Sequence, residues 1–248
     1  MSYFDGKIDA VIDGGPCGLG RESTIIDLSK TPYRILRQGA LPREEIGDVL
    51  AGAMHIIGIT GSSGAGKTTA LHVLRDLGAL IIDCDEVYHR LTEESTELRA
   101  AIEDRFGPVY RDGRLDRKAL GAIVFRDQKA LSDLNAITHQ FINDELDRLL
   151  REYAMNGGAL VGIDAVELIS GGAAKRCTKV YGVLAPREKR LERIMAREGI
   201  SRDYAQLRLA AQKSDDYYRE HCDAILFNNG ELNEFAALCE AAFEEEIG

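Results

Sequence analysis

Residues 55–69 read HIIGITGSSGAGKTT, and this stretch decides the fold of the chain. The apolar run from His55 to Ile59 predicts a buried strand. A loop with several glycines follows it, and then come Lys67, Thr68 and a sequence that can continue as a helix. A strand, a loop of the form G-x-x-x-x-G-K-T and a helix in this order are typical of a P-loop. The alternative interpretation is a glycine-rich turn that binds nothing.

The residue types in this loop suit the phosphates of a nucleotide. Glycine lets backbone N–H groups turn inward around a phosphate, and a helix that begins near Lys67 presents the positive end of its dipole to the same anion. Lys67 would neutralise the outer phosphates, and the hydroxyl of Thr68 would bind the Mg²⁺ ion that bridges two of them. The predicted ATP-binding residues of the loop are Gly61, Gly64, Ala65, Gly66, Lys67, Thr68 and Thr69.

Length and composition limit the remaining possibilities. A chain of 248 residues has room for one large α/β domain and an appendage. The net charge of -10 disfavours a nucleic-acid partner, because phosphate backbones are bound by clustered Lys and Arg. The chain has neither an apolar membrane span nor an N-terminal signal core, so we expect no membrane partner and a cytoplasmic location. Five scattered cysteines form no CxxC pair and are predicted to be reduced, namely Cys17, Cys84, Cys177, Cys222 and Cys239.

The first 54 residues predict a small α+β appendage. Its expected elements are strands at Ile8–Ile12, Thr24–Leu28 and Tyr33–Leu36 and a helix from Pro42 through Leu50. A piece of this length buries little core by itself, so it must lean on the following domain, pair with another chain or remain loosely folded.

Two segments of this appendage, DGGPCGLGRESTIIDL and RILRQGALPREEI, resemble the end of the catalytic domain of the threonylcarbamoyl-adenylate synthase family. The resemblance covers about residues 1–52. In that family the segment that matches Glu22, Ser23 and Thr24 lies by the nucleotide pocket. The lysine and arginine motif of the family's opening strands has no counterpart here, so the resemblance implies a non-catalytic remnant over residues 1–54.

Beyond the loop, the sequence predicts a helix at Thr68–Leu77 and a strand at Ala79–Ile82, which ends in Asp83-Cys84-Asp85. Ligands of open parallel sheets bind at the carboxyl ends of the strands. Asp83 and Asp85 are therefore candidates for a Mg²⁺ contact and for a base that accepts a hydroxyl proton. Either carboxylate could instead cap the helix predicted at Glu86–Leu91.

The remainder of the chain predicts a parallel sheet covered by helices on both faces. Residues 94–155 are helix-rich, with breaks at Gly107-Pro108 and Asp112-Gly113 and with no strand pattern, and would form a separate helical lobe for the acceptor. The later predicted elements are strands at Ala159–Ile163, Lys179–Leu184 and Ala224–Phe227 and helices at Arg187–Arg197, Asp203–Lys213 and Leu232–Glu245.

Several segments together resemble the dephospho-CoA kinase family over about residues 55–248. In the order found in that family they read GSSGAGKTT, LGALIIDCDEVYH, GRLDRKALGAIVF, LNAITHQFI, LRLAAQ and DAILFNNG. The resemblance implies a P-loop kinase with a helical acceptor lobe and a lid. It also implies transfer of the γ-phosphate of ATP, with Mg²⁺, to the ribose 3'-hydroxyl of dephospho-CoA, which gives coenzyme A.

The same resemblance implies roles for individual residues. Asp85 matches the proposed catalytic base and would also bind the metal together with Thr68, while Arg193 and Arg197 match lid arginines that act with Lys67 on the transferred phosphate. Gln212 matches a lid-side glutamine, and Asn228 would lie at the ATP site. The residues predicted for the substrate are Asp83, His89, Arg117, His139 and Asp164. Of these, Arg117 and His139 match motif residues around the family's acceptor pocket, and Asp164, at the end of a predicted strand, could orient Mg²⁺ or the substrate.

Physical alternatives stand beside these roles. Arg187, Arg190, Arg193 and Arg197 recur at a spacing that could place guanidinium groups along one side of a helix, as a lid for phosphates requires. They could also form a solvated face paired with Glu188, Glu192 and Glu198. His139 alone would be read as a packed or capping histidine, and Asn228-Asn229-Gly230 alone as a turn.

The chain departs from the family pattern at Gln140, where proline is usual, at Arg190, where glutamine is common, and in the segment Val166–Ser170. These departures concern the acceptor side more than the ATP site. Two other functions therefore stay open: another small-molecule kinase of the nucleoside-monophosphate kinase kind, and a nucleotide-binding protein with weak or no turnover. A GTP-dependent switch would need a guanine-reading Asn-Lys-x-Asp motif, which the sequence lacks.

Overall fold

The structure is a computed structural model that describes Gly6 and residues 20–248. The predicted strand Ile8–Ile12, Cys17 and most of the segment DGGPCGLG lie outside the described residues. The strands are β1 Ile25–Asp27, β2 Arg34–Arg37, β3 His55–Thr60, β4 Leu80–Asp83, β5 Tyr110–Arg111, β6 Arg114–Leu115, β7 Leu160–Asp164, β8 Lys179–Leu184 and β9 Ala224–Phe227. The helices are α1 Arg43–Ala51, α2 Lys67–Asp76, α3 Cys84–Glu94, α4 Thr96–Phe106, α5 Arg117–Val124, α6 Gln128–Met155, α7 Arg187–Glu198, α8 Arg202–Ala210, α9 Asp215–His221 and α10 Leu232–Ile247.

The central sheet is parallel, in the order β4-β7-β3-β8-β9, which confirms the α/β fold expected from the sequence. The strand before the P-loop, β3, lies in the middle. On one face Ile57 and Ile59 pack with α2 and α10, and on the other Ile56 packs with α6. Burial on both faces explains why these strands are continuous apolar runs.

The register of the sheet brings its acidic residues to one edge. Asp164, the last residue of β7, lies opposite Asp83 on β4 and opposite Ile59 on β3. Since all three strands run in the same direction, their carboxyl ends meet beside the loop that follows β3.

A helical lobe follows β4, and it has its own small core. Helices α3 to α6 enclose Leu98, Ile102, Leu120 and Leu134, all of them buried. The expectation that no strand interrupts this region is wrong, because β5 and β6 form a short antiparallel hairpin. Asp112 and Gly113 form its turn with φ of 48° and 78°, as a two-residue Asp-Gly hairpin turn requires. The Asp-Gly pair, read as a helix break, was in fact a hairpin signal.

Helices α7 and α8 pack against each other through Leu191, Ile194 and Ala205, and we refer to this pair of helices as the lid. The helix predicted at Asp203–Lys213 ends earlier, at Ala210. A further helix, α9, was not predicted; it begins after Ser214, whose hydroxyl accepts a hydrogen bond from the N–H of Tyr217. A serine followed by two aspartates is an N-terminal helix signal that the sequence offered.

The described part of the appendage leans on the kinase domain. Strands β1 and β2 pair antiparallel, and α1 packs along α6. Gly47 lies against the side chain of Arg151, which forms an ion pair of 2.5 Å with Asp48. The N–H of Tyr33 donates to the carbonyl of Met155 at 2.8 Å. Residues 20–54 thus lean on the following domain, which is the first of the three arrangements expected for this piece.

Cys84, Cys177, Cys222 and Cys239 are free thiols, and burial raises the pKa of each. None of the helices in residues 20–248 is both long enough and apolar enough to cross a bilayer.

Candidate active site

The loop after β3 adopts backbone conformations that glycine allows. Gly61, Gly64 and Gly66 have φ of 144°, 74° and 114°. A Cβ on Gly61 would lie 2.4 Å from the carbonyl oxygen of Val183, and one on Gly66 would lie 2.2 Å from Nδ2 of Asn228. Helix α2 begins directly after Gly66. The N–H groups of Lys67 and Thr68 have no partner in the preceding turn and are available to an anion, whereas that of Thr69 donates to the carbonyl of Gly66 at 3.0 Å.

Lys67, the first residue of α2, turns back over the loop. Its Nζ donates a hydrogen bond of 2.9 Å to the carbonyl oxygen of Gly61. Burial lowers the pKa of Lys67, and Arg197 lowers it further, while Asp164 and Asp85 oppose the shift. Lys67 thus lies at the loop near one cation, Arg197, and near the carboxylates of Asp164 and Asp85.

A cavity of about 420 Å³ opens between the P-loop, the strand ends and the lid. We call it the phosphate cavity. It brings together seven of the residues singled out from the sequence for the site beyond the loop glycines: Lys67, Thr68, Asp83, Asp85, Asp164, Arg193 and Arg197. Ser63, Ala165, Val166 and Arg208 also line it. The sequence therefore predicted most of this cavity.

The two carboxylates after β4 have different tasks. Asp83 caps α3, because its Oδ1 accepts the N–H groups of Asp85 at 2.8 Å and Glu86 at 3.3 Å. The helix accordingly begins at Cys84 and not at Glu86 as expected. Asp85 is exposed, and its side chain faces the phosphate cavity. Of the two candidates, Asp85 is thus the one without a structural duty in the helix cap.

Asp164 is the most perturbed carboxylate of the site. Burial raises its pKa to about 6, and the neighbouring Asp83 and Asp85 raise it too, while Lys67 lowers it. Its Oδ1 is buried without a hydrogen-bond partner. A buried oxygen without a partner at a cavity wall costs free energy unless a ligand or ion satisfies it.

Arg193 binds the loop itself. Its guanidinium donates to the carbonyl oxygens of Gly64 at 3.1 Å and Ala65 at 3.3 Å, and to Oδ1 of Asn228 at 3.2 Å. The arginine uses oxygens of the loop and does not occupy the N–H groups of the loop. It therefore joins the lid to the P-loop at the wall of the phosphate cavity.

The other arginines of α7 divide between two surroundings. Arg197 lines the phosphate cavity and forms an ion pair of 2.6 Å with Glu198, which also binds Arg208 of α8. Arg190 instead is buried away from this cavity and pairs with Asp215 at 3.0 Å. The expected single face of arginines is therefore wrong for Arg190, whose position on α7 points it toward α9.

Asn228 lies at a second cavity, of about 380 Å³, on the opposite side of the loop. Gly66, Thr69, Lys189 and Arg193 line it as well. Asn228 is buried, and its Nδ2 donates to the carbonyl of Ala65 at 2.8 Å. Asn228, the residue after β9, shapes this cavity by fixing the loop, and the binding of a nucleotide base here stays a prediction.

A third cavity, of about 280 Å³, lies between α3, α6 and the segment after β7. We call it the acceptor cavity. Its walls are largely apolar, with Tyr88, Leu134 and Ile142 among them, and His139 and Asn143 add polar groups. Asp85 lines both this cavity and the phosphate cavity. The two spaces therefore meet at this carboxylate.

His89 and Arg117 lie next to each other, with 2.6 Å between Nδ1 of His89 and a guanidinium nitrogen of Arg117. Both are exposed, and neither is part of the wall of the acceptor cavity. The structure thus brings these two predicted substrate residues together but places them apart from His139.

The segment that departs from the family pattern forms one wall of the acceptor cavity. Val166 and Glu167 line the cavity, while Leu168 is fully buried in the core beneath. Gln140 is exposed and does not line it. Gln140 therefore lies outside the cavity wall, whereas the segment after Ala165 forms part of it.

A hydrogen-bond network around Arg176 lies behind this wall, and the sequence did not predict it. Arg176 binds both carboxylate oxygens of Asp147, at 2.5 and 2.6 Å, and donates to Oδ1 of Asn143 at 2.9 Å. Asn143 in turn donates to the carbonyl of Gly171 at 2.8 Å. A local sequence pattern does not reveal this network, because Arg176 is 29 residues from Asp147. Arg208 was missed too, although its place on α8, close behind the lid arginines, was an available signal.

Comparisons with known proteins show what this chain is similar to. The family model described as Dephospho-CoA kinase matches residues 55–234. A dephospho-CoA kinase of Symbiobacterium thermophilum is 38% identical over 197 residues, covering 79% of this chain and 82% of that protein. One from Dehalococcoides mccartyi is 34% identical over 196 residues, covering 78% of this chain and 98% of that protein.

Solved structures share the fold. A crystal structure of a Thermus thermophilus protein is 33% identical, with a TM-score of 0.65, and the match covers 79% of this chain and 99% of that one. The dephospho-CoA kinase from Campylobacter jejuni is 24% identical with a TM-score of 0.50, covering 79% of this chain and 98% of that one. The part of the chain before residue 55 is not matched by the family model.

Proposed function

Because the chain belongs to the dephospho-CoA kinase family, we propose that residues 55–248 phosphorylate the ribose 3'-hydroxyl of dephospho-CoA with ATP to give coenzyme A. The observation that carries this proposal is the position of Asp85, which lines both the phosphate cavity and the acceptor cavity. A γ-phosphate bound on one side and a hydroxyl bound on the other would meet at this carboxylate.

The chemistry assigns a task to each group. The 3'-oxygen attacks the γ-phosphorus, the bond from that phosphorus to the bridging oxygen of the β-phosphate breaks, and ADP leaves. Asp85 accepts the hydroxyl proton or orients the hydroxyl for in-line attack. Lys67 and Arg197 neutralise charge on the transferred group, and Arg193 holds the loop in place.

The residues at the phosphate cavity fit a Mg²⁺ ion bound together with ATP. Thr68 offers an exposed hydroxyl, and Asp85 and Asp164 offer carboxylate oxygens, one of them buried without a partner. Within residues 20–248, no three or more His, Cys, Asp or Glu side chains form a metal site by themselves. A Mg²⁺ ion bound with a nucleotide takes further ligands from the phosphates and from water. Such an ion neutralises phosphate charge when bound.

The acceptor cavity would hold the nucleoside part of dephospho-CoA. Its apolar walls suit a flat base, and His139 and Asn143 can give polar contacts. His89 and Arg117, which lie apart from this cavity, would then meet the charged diphosphate of the acceptor.

One assay with ATP, Mg²⁺ and dephospho-CoA tests the proposal. We expect coenzyme A and ADP in equal amounts, and little phosphorylation of nucleoside monophosphates in a parallel panel. Preference for a nucleoside monophosphate would favour another small-molecule kinase. Full ATP binding without any phosphorylated product would favour a nucleotide-binding protein with weak or no turnover.

We propose that residues 1–54 are a remnant of a threonylcarbamoyl-adenylate synthase without its chemistry. Glu22 and Ser23 bind Arg37, and Thr24 binds the backbone of Leu41, so these side chains serve the appendage itself. Incubating the full chain with threonine, bicarbonate and ATP should give no threonylcarbamoyl-adenylate. Detection of that product would overturn the remnant interpretation.

A further inference from the structure

One side chain of the lid binds a single P-loop residue twice. Oε1 of Gln212 accepts the backbone N–H of Ser63 at 2.9 Å, and its Nε2 donates to Oγ of Ser63 at 2.6 Å. Because a backbone N–H can only donate, the end of the Gln212 amide that faces the N–H of Ser63 must be its oxygen. Both ends of the amide are therefore used, and we call this pair of bonds the glutamine clamp.

The clamp joins two walls of the phosphate cavity. Ser63 lines the cavity on the loop side, and Gln212 follows directly after α8, which carries Arg208 on the lid side. Arg193 makes the other link between lid and loop, through the carbonyls of Gly64 and Ala65. The two links differ in kind, since the clamp occupies a loop N–H. With the N–H of Ser63 taken and that of Ala65 donating to the carbonyl of Ser62, the phosphates are left the N–H groups of Gly64, Gly66, Lys67 and Thr68.

Helix α8 is attached to α7 by two ion pairs, Arg202–Glu188 and Arg208–Glu198, and by few apolar contacts. Its buried residue is Ala205, while Tyr204 and Leu207 are 55% and 68% exposed. A cavity of about 360 Å³ lies at its carboxyl end, with Leu209 and Gln212 in the wall. Few apolar contacts and a space beneath mean that packing alone holds this end weakly. The ion pair between Arg208 and Glu198 joins this end of α8 to α7, whereas the hydrogen bonds from Gln212 join it to the P-loop.

We propose that Gln212 is a positioning residue, which fixes α8 to the P-loop and so sets Arg208 at the transferred phosphate. It touches neither phosphate nor acceptor. This role rests on the proposed phosphoryl transfer, because it concerns the alignment of a cation with the phosphate that moves. A misaligned cation costs rate even where binding of the ground state persists.

The test compares Gln212→Ala with Gln206→Ala, which removes the same amide from α8 without touching the clamp. In Gln212→Ala we expect kcat to fall about tenfold with KM for ATP within about twofold of wild type, since the loop N–H groups that hold phosphate remain. Gln206→Ala should keep both constants within about twofold. A kcat of Gln212→Ala within twofold of wild type overturns the proposal.

A double-variant cycle shows whether the contact itself is responsible. Ser63→Ala removes one of the two bonds and should lower kcat by about threefold, yet it should lower kcat no further in the Gln212→Ala background. Losses that multiply in the double variant would mean that the two residues act independently, and would overturn the clamp. Circular dichroism and melting temperature confirm that each variant is folded.

Amide exchange separates this proposal from the function on which it rests. In the protein without nucleotide, residues 61–66 should exchange faster in Gln212→Ala than in wild type, and at the wild-type rate in Gln206→Ala. Unchanged exchange in Gln212→Ala overturns the clamp whatever the substrate is. Faster exchange in Gln212→Ala, when the wild-type protein makes no coenzyme A, would instead keep the clamp as a loop contact and reject the proposed function.

Discussion

The ammonium group of Lys67 donates a hydrogen bond of 2.9 Å to the carbonyl oxygen of Gly61, so the lysine spans the P-loop from its last residue to its first. The bond holds the side chain inside the loop, where burial lowers its pKa. A triphosphate in the loop would offer Lys67 stronger, charged acceptors than this carbonyl. The lysine is thus oriented for phosphate before phosphate arrives.

We therefore expect Lys67→Ala to abolish phosphoryl transfer and to leave the fold intact. The side chain acts on phosphate charge and packs into no apolar cluster, and loss of such a contact in the transition state costs about 3 kcal/mol, or a hundredfold or more in kcat. The measurement is kcat by the coupled assay, with circular dichroism as the check on folding. Turnover above about a tenth of wild type would contradict this role.

A second prediction separates the two carboxylates after β4. Asp85→Asn should lose about a hundredfold or more in turnover, the scale of a positioned acid or base, because the amide cannot accept the hydroxyl proton. ATP affinity should change only slightly, since the loop holds the phosphates. The checks are single-turnover rates and calorimetric binding of ATP.

Asp83 supplies the matched control. Asparagine caps helices about as well as aspartate, so Asp83→Asn should keep stability and most turnover, whereas Asp83→Ala should lose about 1 kcal/mol through the lost cap. If Asp83→Asn removes turnover and Asp85→Asn does not, the base is assigned to the wrong carboxylate. Normal turnover in both variants would reject this catalytic centre.

The features that the sequence predicted are those encoded by neighbouring residues. The P-loop, the strand before it and the carboxylates that follow β4 and β7 are local patterns, and parallel topology then brings their ends together. Asp85 and Asp164 could thus be assigned to one site without coordinates, while Arg197 was assigned to it from the family resemblance. The comparisons support the family and the fold, while the role of each site residue stays a prediction.

The features that escaped prediction depend on distant partners or on competing local signals. Arg190 follows the helical spacing of Arg193 and Arg197, yet it pairs with Asp215, which belongs to a helix that was not expected. Gln212 was placed on the lid side, but its bonds to Ser63 span 149 residues. Periodicity places a side chain on one face of a helix, but it does not identify what lies opposite.

A third prediction concerns the appendage. A protein that starts near His55 should keep its kinase activity, since every residue proposed for the site lies beyond that point. It should be less stable, because Leu50 and Ala51 pack on the core around Leu146 and Leu150. Exposing the equivalent of one or two aliphatic side chains costs on the order of 3 kcal/mol. Urea unfolding of the full chain and of the shortened protein measures the difference in the free energy of unfolding.

Helix α1 offers its own matched pair of variants for this question. Ile46 is buried and Val49 is 72% exposed, so Ile46→Ala should destabilise the full chain by about 2–4 kcal/mol and Val49→Ala hardly at all. A shortened protein that is folded but inactive would show instead that the appendage belongs to the working enzyme.

The last prediction follows from Asp164, whose folded-state pKa of about 6 lies above the ordinary value of 3.8. Burial is the main cause, with Asp83 and Asp85 adding to it. Between about pH 4 and pH 6 the folded protein therefore binds more protons at this residue than the unfolded chain does. In that range the free energy of unfolding falls as the pH rises, by at most about 1.4 kcal/mol per pH unit. The ionised Asp164 is thus a cost to the protein without ligand.

Replacing Asp164 by asparagine should remove this cost, because the amide has nearly the same shape and carries no charge. Near pH 4 the variant and wild type should unfold at similar urea concentrations, and by pH 7 the variant should be more stable by roughly 2–3 kcal/mol. The same variant should lose turnover, because the carboxylate is proposed to serve the metal and the phosphates. Stability and activity would therefore change in opposite directions. Asp144→Asn, at an exposed position on α6, is the control. It should not change the difference in the free energy of unfolding between pH 4 and pH 7. If Asp164→Asn is no more stable than wild type at pH 7, the ionised Asp164 does not destabilise the protein without ligand.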